Sequence, residues 1–202
     1  AKGLPAAHFV PVTMLITAGI YGAASCVTFA LLPERTKPQP PRGEGSAWQQ
    51  LRRTFRDARA HRDFMWLLAC TVCYQGGVAV AITLAAIYAE QVIGFVPHET
   101  MVLIFVLNIA AALGAFGFGY VQDRIGHRLA LASTLVAWIA VCLVAATATS
   151  KGQFWVAATI AGLAMGSSQS AGRAMTGVLA PPRQLAEFFG LWSFATRLAS
   201  IV

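Results

Sequence analysis

The strongest constraint on this chain is a series of long apolar stretches, some of which contain no charged residue. Residues 64–89 and 101–121 include no Asp, Glu, Lys or Arg. A helix crosses the hydrocarbon core of a bilayer with about 20 apolar residues. Charged residues make up 11% of the chain, well below the roughly 25% of a typical globular domain. The sequence therefore predicts an all-α membrane protein.

Five stretches are long enough to span a bilayer, and a sixth begins near the end of the chain. The five are 9–32, 64–89, 101–121, 129–149 and 154–180. The sixth runs from 188 to 202 and is short for a span, because a helix rises only about 1.5 Å per residue. We therefore expect the chain to be a piece of a longer protein, with its last helix truncated.

Basic residues are concentrated between the first and second spans. Segment 33–63 holds eight of the fifteen Lys and Arg residues, and loop 90–100 holds none. Cytoplasmic loops carry an excess of Lys and Arg, so segments 33–63 and 122–128 are predicted to be cytoplasmic. Basic chains also bind nucleic acid. Here, however, the charges lie on loops between apolar spans, so we expect the lipid bilayer, and no nucleic acid, as a partner.

Segment 33–63 divides into a Pro- and Gly-rich linker and a basic helix over 48–63. Trp48, Leu51 and Phe55 have the spacing that predicts an apolar edge on this helix. A helix with such an edge and many arginines can lie on an anionic membrane surface. A solvated connector helix fits the pattern equally well.

Aromatic residues near span ends are typical of the belts at membrane–water interfaces. Trp66, Tyr88, Tyr120, Trp155 and Trp192 fit this pattern. Trp138 does not, since it lies in the middle of the fourth span.

Motifs of enzymes are missing from the sequence. It contains no Walker loop, zinc-ligand spacing or nucleophile elbow. Cys70 and Cys73 have the CxxC spacing, but a redox or zinc pair needs polar surroundings, and we interpret them as small residues of a buried helix. The sequence therefore predicts no catalytic residues, no cofactor and no bound metal.

The charged turn GYVQDRIGHR, residues 119–128, lies between the third and fourth spans. Gly126 can adopt a positive φ, so the chain can reverse within few residues. Gly119 has no side chain, so another helix can approach it closely. Asp123, Arg124 and Arg128 supply the charges, and a plain positive-inside turn would explain them as well.

The spacing of Gly119, Asp123, Arg124, Gly126 and Arg128 resembles the loop signature of the major facilitator superfamily. That signature occurs after the second helix and again after the eighth. The resemblance implies the second six-helix half of a twelve-helix fold, with its last helix truncated. It makes 1–32 the sixth helix, 33–63 the cytoplasmic linker between the halves, and 64–202 a C-terminal bundle of helices seven to ten and part of eleven.

A second stretch resembles the Atg22-like branch of that superfamily. Gly166, Gln169 and Arg173 precede a proline-containing loop, the box A-E-F-F-G follows at 186–190, and Arg197 comes after it. The resemblance implies secondary active transport by alternating access, with export of amino acids or similar small metabolites. A transporter-fold sensor or scaffold without transport is the alternative.

The same resemblance implies several partners and one departure. The partners are a small-molecule substrate, with proton coupling as an option, and the N-terminal half of the transporter, in the inner (cell) membrane. The branch often has Tyr-x-Asp-Gly in its seventh helix, whereas this chain has Tyr74-Gln75-Gly76-Gly77 and lacks the acid. A coupling role for that acid is therefore missing or has moved.

Polar residues within the spans are the candidates for substrate binding, because they are costly in a bilayer. The resemblance places the seventh and tenth helices around the central cavity, so Tyr74, Gln75 and Gln169 are predicted to bind substrate. Interhelical hydrogen bonds, worth about 0.6 kcal/mol each, are an equal alternative for Tyr74 and Gln75. Arg197 is predicted to lie near mid-membrane and face the cavity or an acidic partner. Arg173 lies nearer the inner interface, where its long side chain can reach the headgroups.

Two further groups of residues have predicted roles. Gly162 and Gly166 form GxxxG, which is typical of close helix packing. The turn residues Gly119, Asp123, Arg124, Gly126 and Arg128 are predicted to form a latch between the two halves that favours the state closed to the cytoplasm.

Overall fold

The computed structural model describes residues 6–31 and 47–201, which form seven helices and no strand. The helices are α1 (Ala6–Leu31), α2 (Ala47–Arg59), α3 (Arg62–Gln91), α4 (Pro97–Ile125), α5 (His127–Ala146), α6 (Lys151–Leu179) and α7 (Leu185–Ala199). The all-α class predicted from the apolar stretches is confirmed.

Helix α1 belongs to a unit of its own, and α2 to α7 form the second unit. Its 26 residues agree with the first predicted span. The predicted linker over 33–46 lies outside the described residues. The predicted basic helix over 48–63 corresponds to α2 together with the start of α3.

Four helices in the described part of the chain are long and apolar enough to cross a membrane: α1, α3, α4 and α5. The fifth predicted span is present as the 29-residue helix α6, but it is not one of the four. Its glycine, serine, glutamine and arginine residues reduce its hydropathy. Helix α6 packs against α3, α4, α5 and α7, so much of its surface contacts protein instead of lipid. Side chains at those positions need not be apolar.

Three glycines bring the backbones of helices α4 and α6 into direct contact. A Cβ atom added at Gly166 would overlap the carbonyl group of Ala111, and one added at Gly114 would overlap the backbone of Leu163. Gly162 is equally close to α4. The Ser167 hydroxyl donates to the Gly114 carbonyl oxygen at 3.2 Å. The predicted GxxxG packing of α6 is therefore confirmed, and its partner is α4.

Helix α2 packs through a face that the sequence pattern did not indicate. Ala58 is 0% exposed and lies in a core cluster with Phe64 and Phe188, and the Thr54 hydroxyl donates to Glu187 Oε2 of α7 at 3.3 Å. Trp48 is 72% exposed. Phe55 is also exposed, and the side chain of Leu51 lies outside the described part. The small residues of α2 allow its close approach to α3 and α7, which leaves the bulky apolar edge outside.

A second cluster joins the loops at the other ends of α3 and α6. It contains Ala89, Phe95, Leu103, Ala148 and Phe154. Beside it, Lys151 Nζ donates to Glu99 Oε2 at 2.6 Å, and the Tyr88 hydroxyl donates to the Ala148 carbonyl at 3.0 Å. These contacts tie the α3–α4 loop to the α5–α6 loop.

The turn between α4 and α5 contains one residue, Gly126, with φ 84° and ψ 156°. Its N–H donates to the Gln122 carbonyl at 2.9 Å, and its own carbonyl accepts from Ala130 N at 3.0 Å. One residue thus ends α4 and begins α5. The positive φ predicted for Gly126 is confirmed.

We expect Gly166→Ala to destabilise the protein, because a methyl group there overlaps the α4 backbone. Overpacking of this kind costs about 1–3 kcal/mol. Thermal unfolding of the detergent-purified full-length protein measures the loss as a lower Tm. The matched control is Gly117→Ala, since a Cβ at Gly117 on α4 has no atom within 4 Å and alanine favours a helix. Equal Tm values for the two variants would contradict the close packing.

Gly126→Ala should also destabilise the protein, for a conformational reason. A φ of 84° with a ψ of 156° belongs to a region that is essentially restricted to glycine and costs other residues of order 1–3 kcal/mol. The control is Gly152→Ala in the first turn of α6, where a Cβ has no atom within 4 Å. A lower Tm for Gly126→Ala alone is the expected result, and an unchanged Tm would show that the turn relaxes.

Candidate functional site

The candidate site is a cavity of about 350 Å³ between α3, α6 and α7. Polar, aromatic and aliphatic side chains share its wall. The lining residues are Gln75, Val78, Ala79 and Ile82 of α3, Met165, Ser168, Gln169 and Arg173 of α6, and Trp192, Ser193, Thr196, Arg197 and Ser200 of the α7 segment.

Three of the four predicted substrate-binding residues line this one cavity: Gln75, Gln169 and Arg197. They come from three different helices, and more than 120 positions separate the first from the last along the chain. An amide offers both a donor and an acceptor, and a guanidinium offers five donors. The arrangement can therefore bind a small polar molecule that carries an anionic group.

The fourth predicted residue, Tyr74, is not part of the cavity lining. A methyl group added at Gly172 would lie 3.3 Å from the Tyr74 hydroxyl oxygen and 3.3 Å from Cζ2 of Trp192. The hydroxyl is buried and has no hydrogen-bond partner of good geometry in the described part of the chain. Tyr74 thus packs against α6 beside Trp192, and the contact of Tyr74 with a substrate stays a prediction.

Two residues of the cavity had other sequence-based assignments. Trp192, assigned to an interfacial belt, is 5% exposed and belongs to the core cluster around Phe64 and Phe188. Arg173, assigned to the headgroup region, lines the cavity, and its guanidinium carbon lies 5.8 Å from the centroid of the Trp192 ring. The belt assignment of Trp192 is wrong because α7 turns this ring inward onto α6.

The sequence of α7 contains a signal for its contribution. Trp192, Ser193, Thr196, Arg197 and Ser200 recur at helical spacing, so they share one face. The hydroxyls of Thr196 and Ser200 donate to backbone carbonyls one turn earlier. Each hydroxyl oxygen keeps lone pairs that can accept from a ligand.

The charge of the cavity wall is positive. Arg173 and Arg197 are its two charged residues, and no acid is present in the lining. Neither arginine forms an ion pair within the described ranges 6–31 and 47–201. The described acids all lie near helix ends: Asp57, Asp63, Glu90, Glu99, Asp123 and Glu187.

The charged hairpin is a second candidate site, distinct from the cavity. Asp123, Arg124 and Arg128 are exposed, and their side chains form no ion pair with any described residue. A Cβ at Gly119 would have no atom within 4 Å, so no described helix makes the close approach expected there. Gln122, which the sequence analysis did not single out, is 3% exposed and contacts His127 Nδ1 through its side-chain nitrogen.

Cys70 and Cys73, which have the CxxC spacing, are not among the residues that line the cavity. Cys70 and Cys73 are free and exposed on α3, so the buried position expected for them is wrong. Among the residues that the structure describes, no group of three His, Cys, Asp or Glu side chains is placed to hold a metal ion.

Comparison with known proteins adds the family. The model of the family "Vacuole effluxer Atg22 like" matches residues 6–202. An uncharacterised MFS-type transporter, YxiO of Bacillus subtilis, is 25% identical over 157 residues, which cover 78% of this chain and 36% of that protein. Autophagy-related protein 22-1 of Aspergillus niger is 25% identical over 195 residues, which cover 83% of this chain and 31% of that protein. No solved structure matches.

The chain spans about a third of the length of these two relatives. The family match covers nearly the whole chain, and the long apolar helices agree with it. A polar cavity lined by α3, α6 and α7 fits a transporter that handles small molecules. The chain belongs to the Atg22-like family of the major facilitator transporters and is a multi-pass membrane protein.

Proposed function

We propose that the full-length protein is a secondary active transporter that works by alternating access. The observation that carries this proposal is the convergence of Gln75, Gln169 and Arg197 on one cavity. Polar groups inside a membrane bundle are costly unless they meet a partner or a ligand. In an alternating-access transporter, the two halves rock around a central site. The polar groups of that site then have a ligand to bind, and the site opens to each side of the membrane in turn.

The described helices have proposed places in the complete transporter. Helix α1 is the sixth helix, and α3 to α7 are helices seven to eleven. The proposed location of the protein is the inner (cell) membrane. On its cytoplasmic side lie segment 33–63, which is the linker between the halves, and the turn 122–128. The N-terminal half then closes the cavity on the side that α3, α6 and α7 leave open.

Amino acids or similar small metabolites are the proposed substrates, and export is the proposed direction. A guanidinium binds a carboxylate through two parallel hydrogen bonds, so Arg197 is the proposed carboxylate ligand. Gln75 and Gln169 would bond the remaining polar groups of the substrate. Support comes from the name of the matching family, which refers to a vacuole effluxer.

Proton coupling needs a titratable group near the substrate, and the described cavity wall contains no acid. A carboxyl group of the N-terminal half would have to supply it. Such a group would also face Arg197 when the site is empty. A sensor or scaffold with the same fold remains the alternative function, and transport measurements separate the two.

Arg197→Gln should reduce the transport of the full-length protein in proteoliposomes. Losing a hydrogen bond to a charged group costs about 1.5–3 kcal/mol, which lowers kcat/KM by about tenfold or more. Uptake of a labelled amino-acid mixture measures this. Arg59→Gln is the control, because Arg59 is an exposed arginine of α2 outside the cavity. Unchanged uptake by Arg197→Gln would remove Arg197 from the site. Tight ligand binding without flux would favour the sensor.

The exposed charges of the hairpin, Asp123 with Arg124 and Arg128, are the proposed latch to the N-terminal half. Their lack of ion-pair partners among the described helices supports a partner elsewhere. Asp123→Asn should shift the population toward the state open to the cytoplasm, because it removes the anion of a charge-assisted contact. Distances between spin labels on the two halves measure the shift.

Glu90→Gln serves as the control for the latch, since Glu90 is an exposed acid at the far end of α3. Gly119→Leu extends the test, because this residue meets no described atom. A shifted equilibrium in Gly119→Leu would locate a helix of the N-terminal half at this point. Unaltered distances in both Asp123→Asn and Gly119→Leu would leave the hairpin as a plain turn.

A further inference from the structure

We propose that this site is selective for substrates with two anionic groups, such as a short dicarboxylate or an acidic amino acid, held between Arg173 and Arg197. The inference rests on the proposed function and narrows its substrate class. Arg173 was not among the residues predicted to bind substrate. The structure assigns it to the same cavity as Arg197.

The two guanidinium groups come from different helices, Arg173 from α6 and Arg197 from α7. Neither forms an ion pair within the described part of the chain, and no lining residue is acidic. A guanidinium group carries a positive charge and five N–H donors. The wall therefore presents two positive charges to anything that enters.

The side chain of Arg173 is exposed but contacts the ring of Trp192. Its guanidinium carbon lies 5.8 Å from the centroid of the Trp192 ring, and that ring is itself buried in the core cluster. Gly172 allows the ring to approach α6, because an added Cβ would already lie 3.3 Å from Trp192 Cζ2. A cation–π contact orients a guanidinium without neutralising it. Arg173 thus lies at the wall beside a buried ring, with its charge available to a ligand.

Two cations on one cavity wall distinguish between small polar molecules of different charge. Opposite charges attract strongly inside a protein, where the dielectric constant is lower than in water. A neutral amino acid offers one carboxylate and one ammonium group. If its carboxylate pairs with one arginine, its ammonium group faces the positive charge of the other. The described wall has no acid to pair with that ammonium group. A molecule with two carboxylates pairs with both arginines, while Gln75, Ser168 and Gln169 can hydrogen-bond what remains of it.

Matched ligand pairs test the proposal on the full-length protein. Succinate and succinamate have nearly the same shape, as do glutamate and glutamine, and each pair differs by one negative charge. We expect wild-type protein to bind the more anionic member at least tenfold more tightly, measured by ligand-induced thermal shift and by competition with labelled succinate in proteoliposomes.

Variants locate the second charge. Arg173→Gln should reduce the succinate-to-succinamate preference to about one while changing succinamate affinity less than twofold. Arg173→Lys keeps the charge and should keep most of the preference, and Arg59→Gln should retain all of it. If Arg173→Gln does not fold, the wild-type preference together with Arg173→Lys decides the question.

Two results would overturn the proposal, and they differ from a failure of the proposed function. Equal affinity of the wild-type protein for succinate and succinamate would show that the N-terminal half neutralises one arginine. A succinate affinity that Arg173→Gln leaves unchanged would show that Arg173 does not contact the substrate. In both cases transport persists. Absence of flux for every anionic and neutral solute would instead reject the transporter itself.

Discussion

The close contact between α4 and α6 anchors α6, which packs against α3, α5 and α7 as well. Apolar surface gains little from leaving lipid, so helices in a bilayer associate through tight packing and hydrogen bonds. Gly114, Gly162 and Gly166 allow backbone-to-backbone contact, and Ser167 adds an interhelical hydrogen bond. With α6 fixed in this way, its remaining surface meets α3 and α7, and the cavity forms where those three helices diverge.

Patterns that depend on the chain's own geometry could be predicted from the sequence. The apolar lengths predicted the helices to within a few residues, because the thickness of a bilayer sets them. Gly126 was predicted to reverse the chain, since only glycine accepts that backbone. The small-residue spacing of Gly162 and Gly166 predicted close packing, although the sequence could not show that α4 is the partner.

Side-chain direction on α2 and α7 could not be predicted, because it depends on which neighbour each helix meets. Trp48 and Phe55 belong to the predicted apolar edge of α2 and are exposed, but the sequence did not show that α2 docks through Thr54 and Ala58, whose small size permits the contact. An aromatic residue near a span end suits both a membrane interface and a core, and Trp192 lies in the core. Of the residues that line the cavity, the sequence analysis had predicted substrate binding for Gln75, Gln169 and Arg197, whereas it had assigned Arg173 to the headgroup region. Its fourth candidate, Tyr74, is not in the lining.

The helices that carry the two candidate sites, α4 and α6, pack closely against each other. The hairpin residue Asp123 lies on α4, which contacts α6 along its glycines, and α6 carries Gln169 and Arg173 into the cavity. Well-packed interiors transmit displacement instead of absorbing it. On the proposed function, a force between Asp123 and the N-terminal half would therefore move one wall of the cavity. A bound dianion that joins α6 to α7 through Arg173 and Arg197 would make those two helices respond together, so binding at the cavity and opening at the hairpin would influence each other reciprocally.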